Sequence, residues 1–122
     1  MEQVSPQVQN QIAQLQQVQQ QGQALAAQKS QVEMALREVE LALEEIVKLG
    51  DESAIYRTVG GLFIKSDKNE VTEDLSDKKE TFALRLKTLE RQEERIQKRF
   101  QQLQQQIQAA LSGSGTEQMA AE

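Results

Sequence analysis

The sequence predicts a mainly α-helical protein in which two long helices form an antiparallel coiled coil and are joined by a single β-hairpin. Apolar residues recur at spacings of three and four along two long stretches, which is the period of a coiled-coil seam. A short run of β-branched and aromatic residues around Gly60-Gly61 separates these stretches. Aromatic residues make up only 3% of the 122 residues, which is thin for a globular core and typical of a helical seam. We expect one domain over residues 1–122.

The first helix is predicted over residues 6–48. Ser5 suits the N-cap and Pro6 the first helical position, while Gly50 suits the residue that follows a helix end. The unbroken three-four spacing predicts a left-handed supercoil. Its positions, of which nine of the twelve are apolar, are Val8, Gln11, Leu15, Val18, Gly22, Leu25, Lys29, Val32, Leu36, Val39, Leu43 and Ile46.

The polar face of this helix changes character along its length. Up to Gln28 it is almost entirely Gln, and Glu2 is the only charged side chain before Lys29. One interpretation is a solvated face made of good helix formers. The other is a neutral, adaptable surface that neither repels nor selects a partner by charge. Charged residues alternate in sign between positions 85 and 99 of the second helix, and we interpret them as a solvated face with local ion pairs.

Residues 49–70 are predicted to form the linker, with strands over 55–59 and 62–65. Gly60-Gly61 suits a two-residue turn because such turns need positive φ. This turn places Val59 opposite Leu62 and Arg57 opposite Ile64. An isolated hairpin is marginal in water, and its open edges pair readily with other strands. The hairpin therefore predicts that the chain is part of an assembly.

The second helix is predicted over residues 71–111, starting between Val71 and Leu75. The Ser-Gly repeat after it favours a flexible tail over residues 112–122. Nine of its eleven seam positions are apolar, which matches the first helix. These positions are Leu75, Lys79, Phe82, Leu86, Leu89, Glu93, Ile96, Phe100, Leu103, Ile107 and Ala110.

An antiparallel register that pairs Ile46 with Leu75 brings the two seams together without a gap. In this register Lys29 meets Glu93, and Gly22 faces the bulky Phe100. An unpaired charge in a seam is costly, whereas a paired one fixes the register. We therefore predict that the two seams pack against each other within one chain.

Composition excludes several classes of function. The chain has no Cys and no His, which excludes disulfides, the usual zinc sites and nucleophile–imidazole catalysis. A net charge of −5 argues against binding to nucleic acid through its phosphates. No apolar run approaches the roughly 20 residues of a membrane span, and the start of the chain does not resemble a signal peptide. We expect a cytoplasmic protein that is not an enzyme, has no cofactor or metal, and binds neither nucleic acid nor membrane.

The central segment IYRTVGGLFIK, from Ile55 to Lys65, lies between two long helices. On this segment the chain resembles prefoldin, specifically a β-class subunit of the archaeal type. The segments PQVQ at 6–9 and LERQEERI at 89–96 support the resemblance, which covers about residues 5–111. One hairpin, rather than two, separates the β class from the α class.

The resemblance implies an ATP-independent chaperone subunit that captures unfolded proteins at its coiled-coil tips and passes them to a group II chaperonin. It also implies a heterohexamer of two α-class and four β-class subunits, whose hairpins join in a β-barrel platform. The expected partners are thus an α-class subunit, other β copies, non-native client proteins and the chaperonin. Residues expected to contribute to subunit assembly are Ile55, Val59, Leu62 and Ile64 on one face of the hairpin and Tyr56 and Phe63 on the other.

Client binding is expected where the paired helices end. In the predicted register Val8 needs a partner near Ser114, beyond the predicted end of the second helix, so apolar side chains there are left partly uncovered. Each such side chain contributes about 1.5–3 kcal/mol when fully buried, and several tips act together through effective concentration. The expected client-binding residues are Val4, Val8, Ile12, Leu15, Ile107 and Leu111.

Alternatives to this function remain at the level of the sequence. The tip residues also fit a simpler interpretation, that of ordinary frayed helix ends. The chain as a whole also fits a structural antiparallel coiled-coil dimerisation module, or an adaptor that docks another protein through the hairpin edge.

Overall fold

A computed structural model describes residues 5–121, with side chains described for residues 5–112. The predicted fold class is confirmed, since two long helices are joined by one two-stranded antiparallel hairpin. The elements in chain order are α1 (Pro6–Lys48), β1 (Ile55–Val59), β2 (Leu62–Ser66) and α2 (Lys68–Ala121). None of the described helical stretches is long and apolar enough to span a bilayer.

The chain divides into two compact units. The terminal unit combines residues 1–28 with 89–122, and the hairpin unit comprises residues 29–88. In the terminal unit a side chain at position 14 of α1 contacts position 99 of α2, and position 22 lies beside position 96. As the residue number rises along α1, the number of the facing residue on α2 falls, so the helices of this unit are antiparallel. In the hairpin unit the end of α1 lies beside the start of α2, where the Lys68 ammonium donates to the Leu49 carbonyl at 2.8 Å.

The start of α1 is capped by Ser5. Its Oγ accepts from the backbone N–H of Val8 at 3.2 Å, and its carbonyl accepts from the N–H of Gln9 at 2.9 Å. An N-cap side chain satisfies one of the backbone donors that the first turn leaves unpaired. Pro6 follows as the first helical residue, where its missing N–H costs nothing.

The start of α2 differs from the prediction. The helix begins at Lys68, whereas the sequence predicts a linker up to residue 70 and a helix from residue 71 or later. The reason is a cap at Asp67, whose Oδ1 accepts from the Glu70 N–H at 2.8 Å and whose carbonyl accepts from the Val71 N–H at 3.1 Å. The polar residues after the hairpin thus form the first turn of the helix.

The end of α2 also differs from the predicted boundary at residue 111. The helix continues to Ala121, through the Ser-Gly repeat. A Gly inside a helix costs about 1 kcal/mol relative to Ala, which weakens the helix without breaking its hydrogen-bond ladder. The predicted flexible tail over 112–122 is therefore helical backbone up to Ala121, and its side chains from 113 onward lie outside the described residues.

The core consists of seam residues. The most buried apolar side chains all lie at predicted seam positions, with Leu103 fully buried. They are Val8, Val18, Leu89 and Leu103 in the terminal unit and Val32, Val39 and Ile46 in the hairpin unit. No polar or charged residue is buried within the range for which side chains are described.

One detail of the predicted register is wrong. A Cβ built on Gly22 would lie 3.4 Å from Ile96 Cγ2, and no atom of Phe100 comes within 4 Å of it. In a coiled coil each side chain packs into a hole between several residues of the facing helix rather than opposite a single one. Ile96 takes the space beside Gly22 for this reason. The Lys29–Glu93 pair would join the two units and stays a prediction, while Lys29 Nζ lies 4.0 Å from Glu33 Oε1.

Candidate interaction surfaces

The hairpin has the predicted turn and register. Gly60 and Gly61 both have positive φ, at 55° and 83°, as a two-residue turn requires. Val59 pairs with Leu62 and Arg57 with Ile64. Because paired residues in antiparallel strands point to the same side, these four side chains share one face with Ile55 and Ser66. Tyr56, Thr58, Phe63 and Lys65 form the other face.

Most of the apolar side chains on the hairpin are uncovered. Leu62 is 67% and Phe63 77% exposed, although they lie on opposite faces of the strand. Tyr56, Val59 and Ile64 are also exposed, and of the six predicted assembly residues only Ile55 is half-buried. Water contact with so much clustered apolar surface is unfavourable, so both faces offer binding energy to another molecule.

Ion pairs attach the hairpin to the first turns of α2. Arg57 Nη1 lies 3.3 Å from Glu70 Oε1 and 3.1 Å from Asp74 Oδ2, so one guanidinium joins two carboxylates one helical turn apart. A further ion pair links α2 to the segment between α1 and β1, since Lys68 Nζ lies 3.9 Å from Asp51 Oδ1. Sequence reasoning missed the role of Arg57. The available signal was the i, i+4 spacing of two acids at the start of a helix that follows a strand carrying a cation.

The predicted client-binding residues differ in their exposure to solvent. Ile12 is 36% and Leu111 52% exposed, while Leu15 and Ile107 are half-buried in the seam. Val8 was predicted to be uncovered, but it is buried, with 5% of its surface exposed. That prediction assumed that the second helix ends at residue 111, whereas α2 continues beyond it. Val4 lies outside the described residues.

A polar residue interrupts the seam near the start of α1. The side-chain oxygen of Gln11 is buried and accepts no hydrogen bond within the described part of the chain. A buried acceptor without a donor costs about 1–3 kcal/mol. The seam is therefore weaker at this position than at the Val and Leu positions that follow it.

Charge is distributed unevenly in the terminal unit. Residues 5–28 of α1 carry no charged side chain. On α2, the local ion pairs predicted between residues 85 and 99 are not made by Arg91, Arg95 or Lys98, which have none among the residues the structure describes. Arg99 instead donates from Nη2 to the Gln14 side-chain oxygen at 3.3 Å. No group of acidic side chains suited to a metal ion occurs in the described range.

These features define a class of protein, namely a coiled-coil subunit that carries an uncovered β-hairpin between its two helices. The family model described as "Prefoldin subunit" matches residues 9–114. The chain belongs to the prefoldin family, in its archaeal β class. Membership makes it a subunit of a prefoldin-type chaperone.

Two relatives and one solved structure support this assignment, and a second solved structure shares the fold. The chain is 59% identical over 106 residues to "Prefoldin subunit beta" of Methanosarcina acetivorans, which covers 87% of this chain and 91% of the relative. It is 54% identical over 112 residues to the protein of the same name from Methanococcoides burtonii, covering 92% and 96%. The crystal structure of the prefoldin beta subunit from Thermococcus strain KS-1 has a TM-score of 0.85 at 41% identity, covering 91% of this chain and 97% of that one. The beta2 subunit from the same strain shares the fold, with a TM-score of 0.68 at 21% identity, covering 75% and 97%.

Proposed function

We propose that this chain is the β subunit of an ATP-independent cytoplasmic chaperone that captures unfolded proteins and passes them to a group II chaperonin. The observation that carries this proposal is the apolar surface left open in the single chain, on the hairpin at Leu62 and Phe63 and at Ile12 and Leu111 of the terminal unit. The hairpin surface serves assembly, and the terminal unit serves capture.

Assembly follows from the state of the hairpin. A lone pair of strands is marginally stable in water, and each of its two outer edges presents unpaired backbone N–H and C=O groups. Strands from other subunits satisfy these groups and cover the side chains of Tyr56, Leu62 and Phe63. We propose that two α-class and four β-class subunits join in this way to form a heterohexamer.

Capture follows from the composition of the terminal unit. Ile12 and Leu111 are exposed among Gln side chains, and the first 24 described residues hold no charge. An unfolded chain can bury apolar groups there without bringing its own charged side chains close to charges of the same sign. One subunit offers little surface, so the proposal requires several subunits to act on one client through effective concentration.

Light scattering with a chemically unfolded client tests this function. The full chain is mixed with an α-class prefoldin subunit, and client aggregation is followed without ATP. We expect aggregation to be suppressed by the mixture, and the captured client to be released on addition of a group II chaperonin. A chain that acts only as a structural coiled coil or adaptor would leave the aggregation curve unchanged, and that result would reject the proposal.

A further inference from the structure

An open groove lies between α1 and α2 within the terminal unit. It has a volume of about 350 Å³ and an almost entirely apolar lining, contributed by Gln21, Ala24, Leu25, Gln92, Arg95 and Ile96. Leu25 and Ile96 are half-buried and the other four are exposed. Its size is near the lower limit of small-ligand pockets, but it is open to solvent along one side. Such a groove suits a side chain presented by an extended segment better than an enclosed small molecule.

Two arginines lie on the face of α2 that borders this groove. Residues 92, 95, 96 and 99 recur at helical spacing, so Arg99 lies one turn beyond Arg95 on the same face. Neither guanidinium has a carboxylate partner among the described residues, and Arg99 bonds only the neutral amide of Gln14. This border of the groove therefore carries positive charge that no carboxylate among the described residues neutralises.

The acidic residues of the terminal unit whose side chains the structure describes lie away from the groove. At 3.6 residues per turn, Glu90 and Glu94 fall on the flank of α2 opposite the groove. Glu93 occupies a seam position and has its own interaction. The facing stretch of α1, from residue 5 to 28, contributes no charge at all. Among the described side chains of this unit, the groove thus combines an apolar lining with positive charge and has no anion on its own face.

We propose that this groove binds an extended segment of non-native polypeptide in which an acidic residue neighbours an aliphatic or aromatic one. The apolar side chain occupies the space between Ala24, Leu25 and Ile96. The carboxylate pairs with Arg95, whose planar guanidinium suits two-point binding of a carboxylate. Gln21 and Gln92 supply amide donors and acceptors for the backbone of the segment. This inference rests on the proposed function, and it adds a client site with a sequence preference to the neutral apolar surface at Ile12 and Leu111.

A nucleic acid is the less favoured anion for this groove. Single-stranded nucleic acids bind through stacking of bases on aromatic side chains as well as through charge. No aromatic residue lines the groove.

Fluorescence anisotropy with two labelled peptides tests the proposal. One peptide consists of Leu, Asp and Ser, and the other has Lys in place of each Asp. We expect the full chain, in the assembly it forms, to bind the acidic peptide at least about tenfold more tightly, with affinity that falls as salt is added.

R95E should weaken binding about fivefold or more, and A24F should block the groove with little effect on folding because Ala24 is exposed. K87E, an equal change of charge outside the terminal unit, should leave binding unchanged, and circular dichroism checks that each variant stays helical.

The outcomes separate this inference from the proposed function. If R95E and A24F bind the acidic peptide as well as the parent chain, the groove proposal is wrong, whether or not client aggregation is suppressed. Equal binding of both peptides, or tighter binding of a single-stranded oligonucleotide than of the acidic peptide, would also overturn it. If the parent chain fails to suppress client aggregation, the proposed function is rejected. The peptide measurements do not test that function.

Discussion

At the scale of single residues, the turn of the hairpin depends on backbone conformation rather than on space. A Cβ added at Gly60 or Gly61 would meet no atom within 4 Å, yet both residues have positive φ. A side chain there is tolerated sterically by its neighbours but strained by its own backbone. The left-handed region costs an ordinary L-residue about 1–2 kcal/mol, and Asn less, because its side chain bonds locally.

Because backbone conformation rather than space limits position 60, two substitutions of Gly60 should differ in their effect. Gly60→Val should destabilise the turn, because a β-branched residue is the least suited to positive φ. Gly60→Asn places a side chain in the same empty space and should largely retain the turn. Size-exclusion chromatography with an α-class subunit reports the result, since a disrupted hairpin should reduce assembly. If the Asn variant fails as completely as the Val variant, space rather than φ governs this position.

Gln11 gives a second prediction, on stability. Its buried side-chain oxygen lacks a donor in the described residues, so Gln11→Leu removes an unsatisfied acceptor and extends the apolar seam. We expect the free energy of unfolding to rise by about 1 kcal/mol, measured by thermal denaturation followed by circular dichroism. Gln16→Leu is the matched control, because Gln16 is exposed on the same helix. Equal stabilisation by both changes would attribute the effect to helix propensity instead of the seam.

At the scale of elements, the hairpin and the seams could be predicted from the sequence because each depends on local rules. Gly60-Gly61 fixes a two-residue turn, and the turn fixes the pairing of Val59 with Leu62. The seam spacing selects Val32, Val39 and Leu103 for the core without reference to the partner helix. These features follow from period and turn chemistry alone.

The helix boundaries were harder to predict, and errors in them changed the predicted client-binding site. The prediction places Asp67 in the linker over residues 49–70, but its side chain caps α2, and propensity alone does not distinguish the two roles. The Ser-Gly repeat suggested an end at residue 111, although it lies within α2. The error at that end made Val8 look uncovered. The groove beside Arg95 was invisible from sequence because it depends on how side chains of two helices pack.

The hairpin as an element gives the third prediction. Replacing Leu62 and Phe63 together by Ser should prevent assembly with an α-class subunit, because both faces lose their most exposed apolar side chains. Helix content should stay unchanged in circular dichroism, since neither residue belongs to the buried core. Leu41→Ser with Leu84→Ser is the control, because these residues are comparably exposed but lie on the helices. Assembly that survives the hairpin change, or is lost equally in the control, contradicts the assigned role.

At the scale of the whole molecule, the ion pairs and the uncharged stretch of helix lie in different units. The hairpin unit contains the ion pairs of Arg57 and Lys68, whereas α1 in the terminal unit is neutral up to Gln28. Exposed charges are screened beyond about 8 Å at physiological salt, but burial of apolar groups does not weaken with added salt. Capture at Ile12 and Leu111 should therefore persist at salt concentrations that weaken binding beside Arg95.

Replacing Ile12 and Leu111 by Ser gives the last prediction, which separates capture from assembly. Both side chains are exposed, so their loss should leave the fold and the oligomer intact while removing apolar surface from every β subunit of the assembly. We expect several-fold more chaperone to be needed for half-suppression of client aggregation, at low and high salt alike, because each lost contact is multiplied across the subunits that hold one client. Val8→Ser is the contrasting variant: Val8 is buried, so this change should lower the melting temperature. Unchanged suppression by the Ile12 and Leu111 variant, in an assembly of normal size, would show that these residues do not capture the client. The groove beside Arg95 would then be the next described surface of the terminal unit to test.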